Sequence, residues 1–175
     1  MMKPLISAIA IAAVFCGAQA SAQDVAAMSD LEFAHIAYTA DEIDIRYAHL
    51  ALALSTNPEV RDFAKTMIRD HTAVNEAALG LLEKLGATAQ DNVVSQSLNA
   101  DAEKIIDGFA KLRGAEFDAA YAANELAYHQ AVNDLVENTM IPNIDNAEVR
   151  ALFEQGLEIF KAHESHAEMM VKVLN

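Results

Sequence analysis

The sequence predicts an all-α fold, an antiparallel four-helix bundle with one short extra helix between the second and third long helices. Three observations predict it. No stretch alternates apolar and polar residues for long enough to make a strand. Helix formers dominate, and the few prolines and glycines act as punctuation. Four segments of roughly 25 residues carry apolar stripes at helical spacing, a length suited to a bundle.

The elements follow in order. Residues 1–22 read as a secretory signal, with Lys3 as the positive start, Leu5 to Phe15 as the apolar run and Ala20-Ser21-Ala22 as the small-residue cleavage site. The bundle domain is then 23–175. Ser29-Asp30 can cap a first helix that runs to about Ser55. Asn57-Pro58-Glu59 supplies a cap, a first-turn proline and a first-turn acid for a second helix, which stops at Gly86. Residues 87–97 are polar and aperiodic and predict a loop. A short helix is expected from about Asn99 to Leu112, and a long one from about Ala115 to Asn138. Pro142 should break the chain before a last helix over Ala147–Leu174.

Cleavage after Ala22 removes Lys3 and the only cysteine, Cys16, leaving 11 basic against 26 acidic residues. Such a charge repels nucleic acid and anionic lipid, and the lack of a thiol rules out thiolate chemistry. No later segment is long and apolar enough to span a membrane. The export signal predicts a periplasmic or secreted protein. No nucleophile elbow, phosphate loop or basic patch is present, so an enzyme is the least supported class. If the protein is one, a metal-dependent oxidoreductase is the form expected.

The chemistry concentrates in histidines. His71 shares a helix face, within about 40°, with Met67, Ala78, Leu82 and Leu85. His129 shares one with Ala122, Val136 and Met140, and also with Asp118 and Glu125. His163 shares one with Leu152, Ile159, Met170 and Leu174. A buried imidazole is costly without a polar partner. Three of them predict either a shared metal or three separate hydrogen-bonding solutions. Neutral imidazoles with carboxylates suit zinc, iron, manganese or copper, and bundle cores build such sites from facing helices.

Glu42 is the candidate carboxylate ligand, being as far from the Asn57 turn as His71 is. Asp44, Asp62, Asp70, Glu76 and Glu83 are read as solvated. Measured from its own turn, His163 is about six residues farther along than His129, roughly 9 Å, which speaks against a single triad. A His71–Glu42 pair with separately satisfied His129 and His163 is therefore an alternative. His163, His166 and Met170 form a second, copper-like constellation along the last helix, with thioether and imidazole donors. Glu32 and His35 have the ExxH spacing of carboxylate di-iron bundles, but in a single copy.

The runs FAHIAYTADEIDIRYA, VRDFAKTMIRDHTAVN, LRGAEFDAAYAANELAYH and LEIFKAH resemble domain-of-unknown-function family 4142, across about residues 30–174. Asp70-His71-Thr72 and Gly114-x-x-Phe117-Asp118-x-x-Tyr121 carry most of the likeness. The resemblance implies an exported protein with a ferritin-like bundle, and it singles out Glu42, His71, Asp118, Tyr121, His129 and His163. It implies no established activity. True ferritins carry two ExxH motifs and inward glutamates on all four helices, which this chain lacks.

Two functional readings follow. One is a metal-binding bundle with His71, His129, His163 and Glu42 as ligands, with Asp118, Glu125 and Tyr121 orienting them from behind. The other is a non-enzymatic envelope stress or interaction protein whose buried histidines are structural or sense pH. Neither identifies a protein partner.

Overall fold

The computed structural model describes residues 25–174. The expected signal and its cleavage site lie outside the described residues. All regular structure described is helical: α1 Asp30–Leu54, α2 Pro58–Leu85, α3 Val93–Phe109, α4 Gly114–Leu135, a π-helical stretch Val136–Met140 that runs into the short α5 Ile141–Asn143, and α6 Ala147–Leu174. None of these helices is long and apolar enough to cross a membrane.

Local chemistry sets most boundaries. Ser29 and Glu32 form a reciprocal capping box at the start of α1. Glu32 is thus a cap, while the His35 ring lies 3.4 Å from Thr39 Oγ1, so the ExxH spacing has a structural use. Asn57 accepts from the Glu59 amide at 2.9 Å, with Pro58 in the first turn of α2. Gly86 ends α2 at φ 64, the left-handed conformation that favours glycine.

Two boundaries differ from expectation. The short helix begins at Val93 rather than near Asn99, because Asn92 accepts from the amides of both Val94 and Ser95. Val93, Val94, Ser95 and Ser97 are weak helix formers, and a strong cap outweighs them. At the other site, the helical path does not break at Pro142. Proline cannot donate to the carbonyl four residues back, and its ring collides with that carbonyl in an α-helix. The widened turn at Val136–Met140, closed by the Ile141 amide on Val136 O, relieves the collision. The chain turns only at Ile144–Asn146.

The long helices close into a ring: α1 packs on α2, α2 on α6, α6 on α4 and α4 on α1. Polar contacts fix their directions. Asp30, at the start of α1, accepts from the amides of Asp145 and Asn146 just before α6. Gln90, just after α2, donates to Leu31 O. At the opposite end Ser55, after α1, donates to Asp118 near the start of α4. Neighbours around the ring are therefore antiparallel, and α2 and α4 run parallel. Helix α3 makes the return crossing outside the ring, packed on α1. Phe33, Ile43, Tyr47, Phe63, Met67, Phe117, Tyr121 and Met170 fill the shared core.

Candidate metal centre

Each long helix brings ionisable side chains into the middle of this core. On α1, Asp41 and Asp44 lie on the buried face with Ala40, Ala48 and Ala51, whose small side chains leave room for carboxyls. Helix α2 brings His71, α4 brings Glu125 and His129, and α6 brings His163. Asp44 and Glu125 have no exposed surface, and each of the three histidines is at most 4 % exposed.

The three imidazoles meet. Ring centroids are 5.8 Å apart for His71 and His129, 5.2 Å for His71 and His163, and 5.5 Å for His129 and His163. Each residue offers one ligand atom, and these atoms lie within 4.8 Å of one another. The level argument against a single triad is thereby corrected. Because the helical path continues to Asn143, His129 is 14 residues from its turn and His163 is 16 residues from Ala147.

The three rings share one bonding pattern. His71 Nδ1 is 2.7 Å from Asp41 Oδ1, His129 Nδ1 is 2.9 Å from Glu125 O, and His163 Nε2 is 3.0 Å from Asp70 Oδ2. The other nitrogens, His71 Nε2, His129 Nε2 and His163 Nδ1, make no aligned hydrogen bond among the described residues. The carboxyls of Asp44 and Glu125 face each other in the same buried space. His71 Nε2 does come within 2.7 Å of Asp44 Oδ2, but off-line, as an ion-pair contact. One nitrogen held by a carboxylate or carbonyl and one left free is how a protein presents imidazole to a metal. Ligands at roughly 2 Å from one ion stand no more than about 4 Å apart, so the cluster needs only slight contraction. These residues fit a transition-metal ion.

Rings shut water out of the cluster. Phe160 stacks on His71 at 4.7 Å, and Phe63 and Tyr128 stand edge-on to His129.

The electrostatics without metal are asymmetric. Burial works against a charged His71, but the Asp44 charge and pairing with Asp41 and Asp44 outweigh it and push His71 up to about 10. Burial also penalises the Asp44 anion, yet His71 holds its pKa low. Burial, with Asp44 beside it, raises Glu125 well above the usual carboxyl range, so the proton between these two carboxyls sits on Glu125. Burial lowers His129, and it lowers His163 to about 4 against the hydrogen bond that its Nε2 donates to Asp70. A group raised in the folded state stabilises below its unfolded pKa and loses that contribution as pH climbs. His71 and Glu125 act in the same direction, so the melting temperature of the metal-free protein should fall between about pH 6.5 and 10. Thermal melts in chelator test this, and a flat profile there would contradict a charged His71.

Several expected site residues stand elsewhere. Glu42 is exposed and accepts from Asn75 Nδ2 at 3.0 Å; the carboxylates on His71 are those of Asp41 and Asp44, on either side of it in sequence. Asp44 is not solvated, and Asp70 supports His163. Asp118 accepts from Ser55, eleven residues and about 16 Å along α4 from His129, too far to orient it. Tyr121 is buried among Phe63, Phe109 and Phe117, one turn from Glu125. His166 turns to Phe63 and Glu59, and Met170 fills the core, so neither joins His163 in a copper-like group. Asp44 was findable: Ala40, Ala48 and Ala51 lie four, four and seven residues away, on one helix face.

A family model described as domain of unknown function (DUF4142) matches residues 16–170. No curated protein and no solved structure matches the chain.

Proposed function

The chain belongs to that family, which brings no activity with it, and we propose that it is a metal-binding protein holding one transition-metal ion between His71, His129 and His163. Asp44 supplies a carboxylate at His71, and Glu125 stands beside it. The observation that carries this reading is the meeting of three buried rings, with His129 Nε2 and His163 Nδ1 free and His71 Nε2 met only by Asp44, each opposite a nitrogen already fixed by Glu125 O, Asp70 or Asp41. A hydrogen-bonded structural histidine has no need to leave a buried nitrogen unpaired, a loss of about 1–3 kcal/mol. Three imidazoles with a carboxylate suit zinc, iron, manganese or copper(II). Bound there, such an ion would supply Lewis-acid or, for iron, manganese or copper, redox chemistry.

We read the antiparallel ring of helices with its α3 crossing as a ferritin-like four-helix bundle. The N-terminal segment reads as an export signal, giving a periplasmic or secreted protein. The rival reading, a non-enzymatic envelope protein with structural or pH-sensing histidines, draws on one observation. His71 between Asp41 and Asp44 is charge-compensated without an ion.

Metal analysis separates the two. After repletion and desalting, the protein should retain about one metal equivalent. A His129→Ala, His163→Ala double variant leaves the His71 ion pair intact and should retain only background. Equal metal in both proteins would rule the triad out.

A further inference from the structure

Two asparagine–glutamate pairs close the cluster on the same side. Asn75 lies one turn beyond His71 and donates to Glu42; Asn133 lies one turn beyond His129 and donates to Glu164 at 2.8 Å. Helices α2 and α4 are parallel, so both pairs sit toward the end of the molecule that carries the α5–α6 turn. What lies outside them differs. Next to Asn75 is a cavity of about 50 Å³ lined by Ala34, Val74, Leu82, Phe153 and Phe160. Its walls are mostly apolar, and the one carboxylate among them, Asp41, is already engaged by His71.

Next to Asn133 is an open polar cleft of about 400 Å³ between α4, the π-helical stretch and α6. Asp134, Glu137 and Glu164 line it against one cation, Lys161, which is paired with Glu137 at 2.7 Å. Glu137 lies in the π turn itself. Asn133 forms the floor. It is only 4 % exposed, and its Oδ1 has no hydrogen-bond partner among the described residues. Both residues of this pair adjoin the cluster along their helices: Asn133 lies one turn after His129, and Glu164 follows His163 directly, with its charge acting on His129.

We propose that this cleft binds a hydrated divalent cation on its way to the three histidines, with the Asn133–Glu164 hydrogen bond as the gate. The proposal rests on the metal reading above. Three carboxylates draw the cation in while it keeps its water, the amide oxygen of Asn133 takes the place of one water, and rotation of Glu164 opens the path to His163 and His129. Asn75 and Glu42 close the α1–α2 flank, where the walls are mostly apolar, so uptake runs along the α4–α6 flank.

The test is the rate of Zn²⁺ uptake by the full mature protein, followed by stopped flow with a zinc-responsive dye at low ionic strength. The variant Asp134→Asn, Glu137→Gln, Glu164→Gln should load about tenfold more slowly than wild type, as expected for loss of electrostatic focusing, while still filling to one equivalent. A control with the exposed acids Glu76, Glu83 and Glu154 changed to glutamine should load at the wild-type rate. Asn133→Ala, which removes the floor without touching the acids, should speed loading and chelator-driven release together. Equal loading rates in the cleft and control variants, or an unchanged release rate in Asn133→Ala, would overturn the route while leaving the metal site standing. Wild-type protein that takes up no Zn²⁺, nor any other transition metal on repletion, would overturn the site and the route with it.

Discussion

Replacing His71 with leucine is expected to destabilise the metal-free protein by about 3–5 kcal/mol at pH 7. The size of the effect comes from what remains rather than from what is removed. Asp41 and Asp44 are 4 % and 0 % exposed, and His71 is the cation between them. Leucine is near histidine in bulk, so little cavity forms, but two carboxyls lose their counter-charge in a site with almost no water-facing surface. Glu125, already kept neutral by burial and by Asp44, offers no relief. Phe160 loses a stacked cationic ring as well. Urea denaturation in chelator gives the loss directly. A second change, Asp44→Leu, should return part of it, because an apolar pair tolerates burial where a single charge does not. If the single variant lost less than about 1 kcal/mol, His71 would not be charged in the folded protein.

The same residues show which part of the site could be seen in the sequence. Helical phase placed His71, His129 and His163 inside, and the structure brings the three rings together. Helical phase also put Glu125 beside His129, but it could not identify the carboxylates on His71 and His163. Glu42 and Asp44 are two residues apart, so a strand would put them on one face and a helix puts them on opposite ones; distance from the Asn57 turn, which Glu42 and His71 share, says nothing about face and selected the wrong one. The buried strip is marked instead by Ala40, Ala48 and Ala51, small residues that carry little hydrophobic signal and yet make the space that two carboxyls occupy.

The fold was legible wherever a cap or a breaker is local. Ser29, Asn57 and Gly86 act within one turn, and their helix ends agree with the sequence to within a residue. It was illegible where a remote requirement competes. Pro142 reads as a stop, but a π turn lets the helix pass it, and the helix gains the burial of Val136 and Met140. With the helical path ending at Asn143, His129 and His163 stand at similar distances from the turn between them.

Saturating metal should raise the melting temperature by about 5–10 °C. An ion present at 100 times its dissociation constant stabilises the native state by about 2.7 kcal/mol, and each kcal/mol moves the midpoint of a chain of this size by about 2–4 °C. The gain should grow as pH rises from 6 toward 9. Without metal, His71 keeps its proton beside Asp44, and Glu125 keeps one too. A cation must displace the His71 proton to reach Nε2, and the Glu125 proton if that carboxyl joins it, so binding releases protons and strengthens with pH. The metal-free protein weakens over the same range, since those two protons contribute its stability. Melting curves with and without metal therefore diverge with rising pH, one falling and the other holding. The His129→Ala, His163→Ala variant keeps both protonated groups and lacks the ligands, so its two curves should coincide and fall together. Parallel wild-type curves would mean that any bound metal displaces no proton, and would place it away from His71.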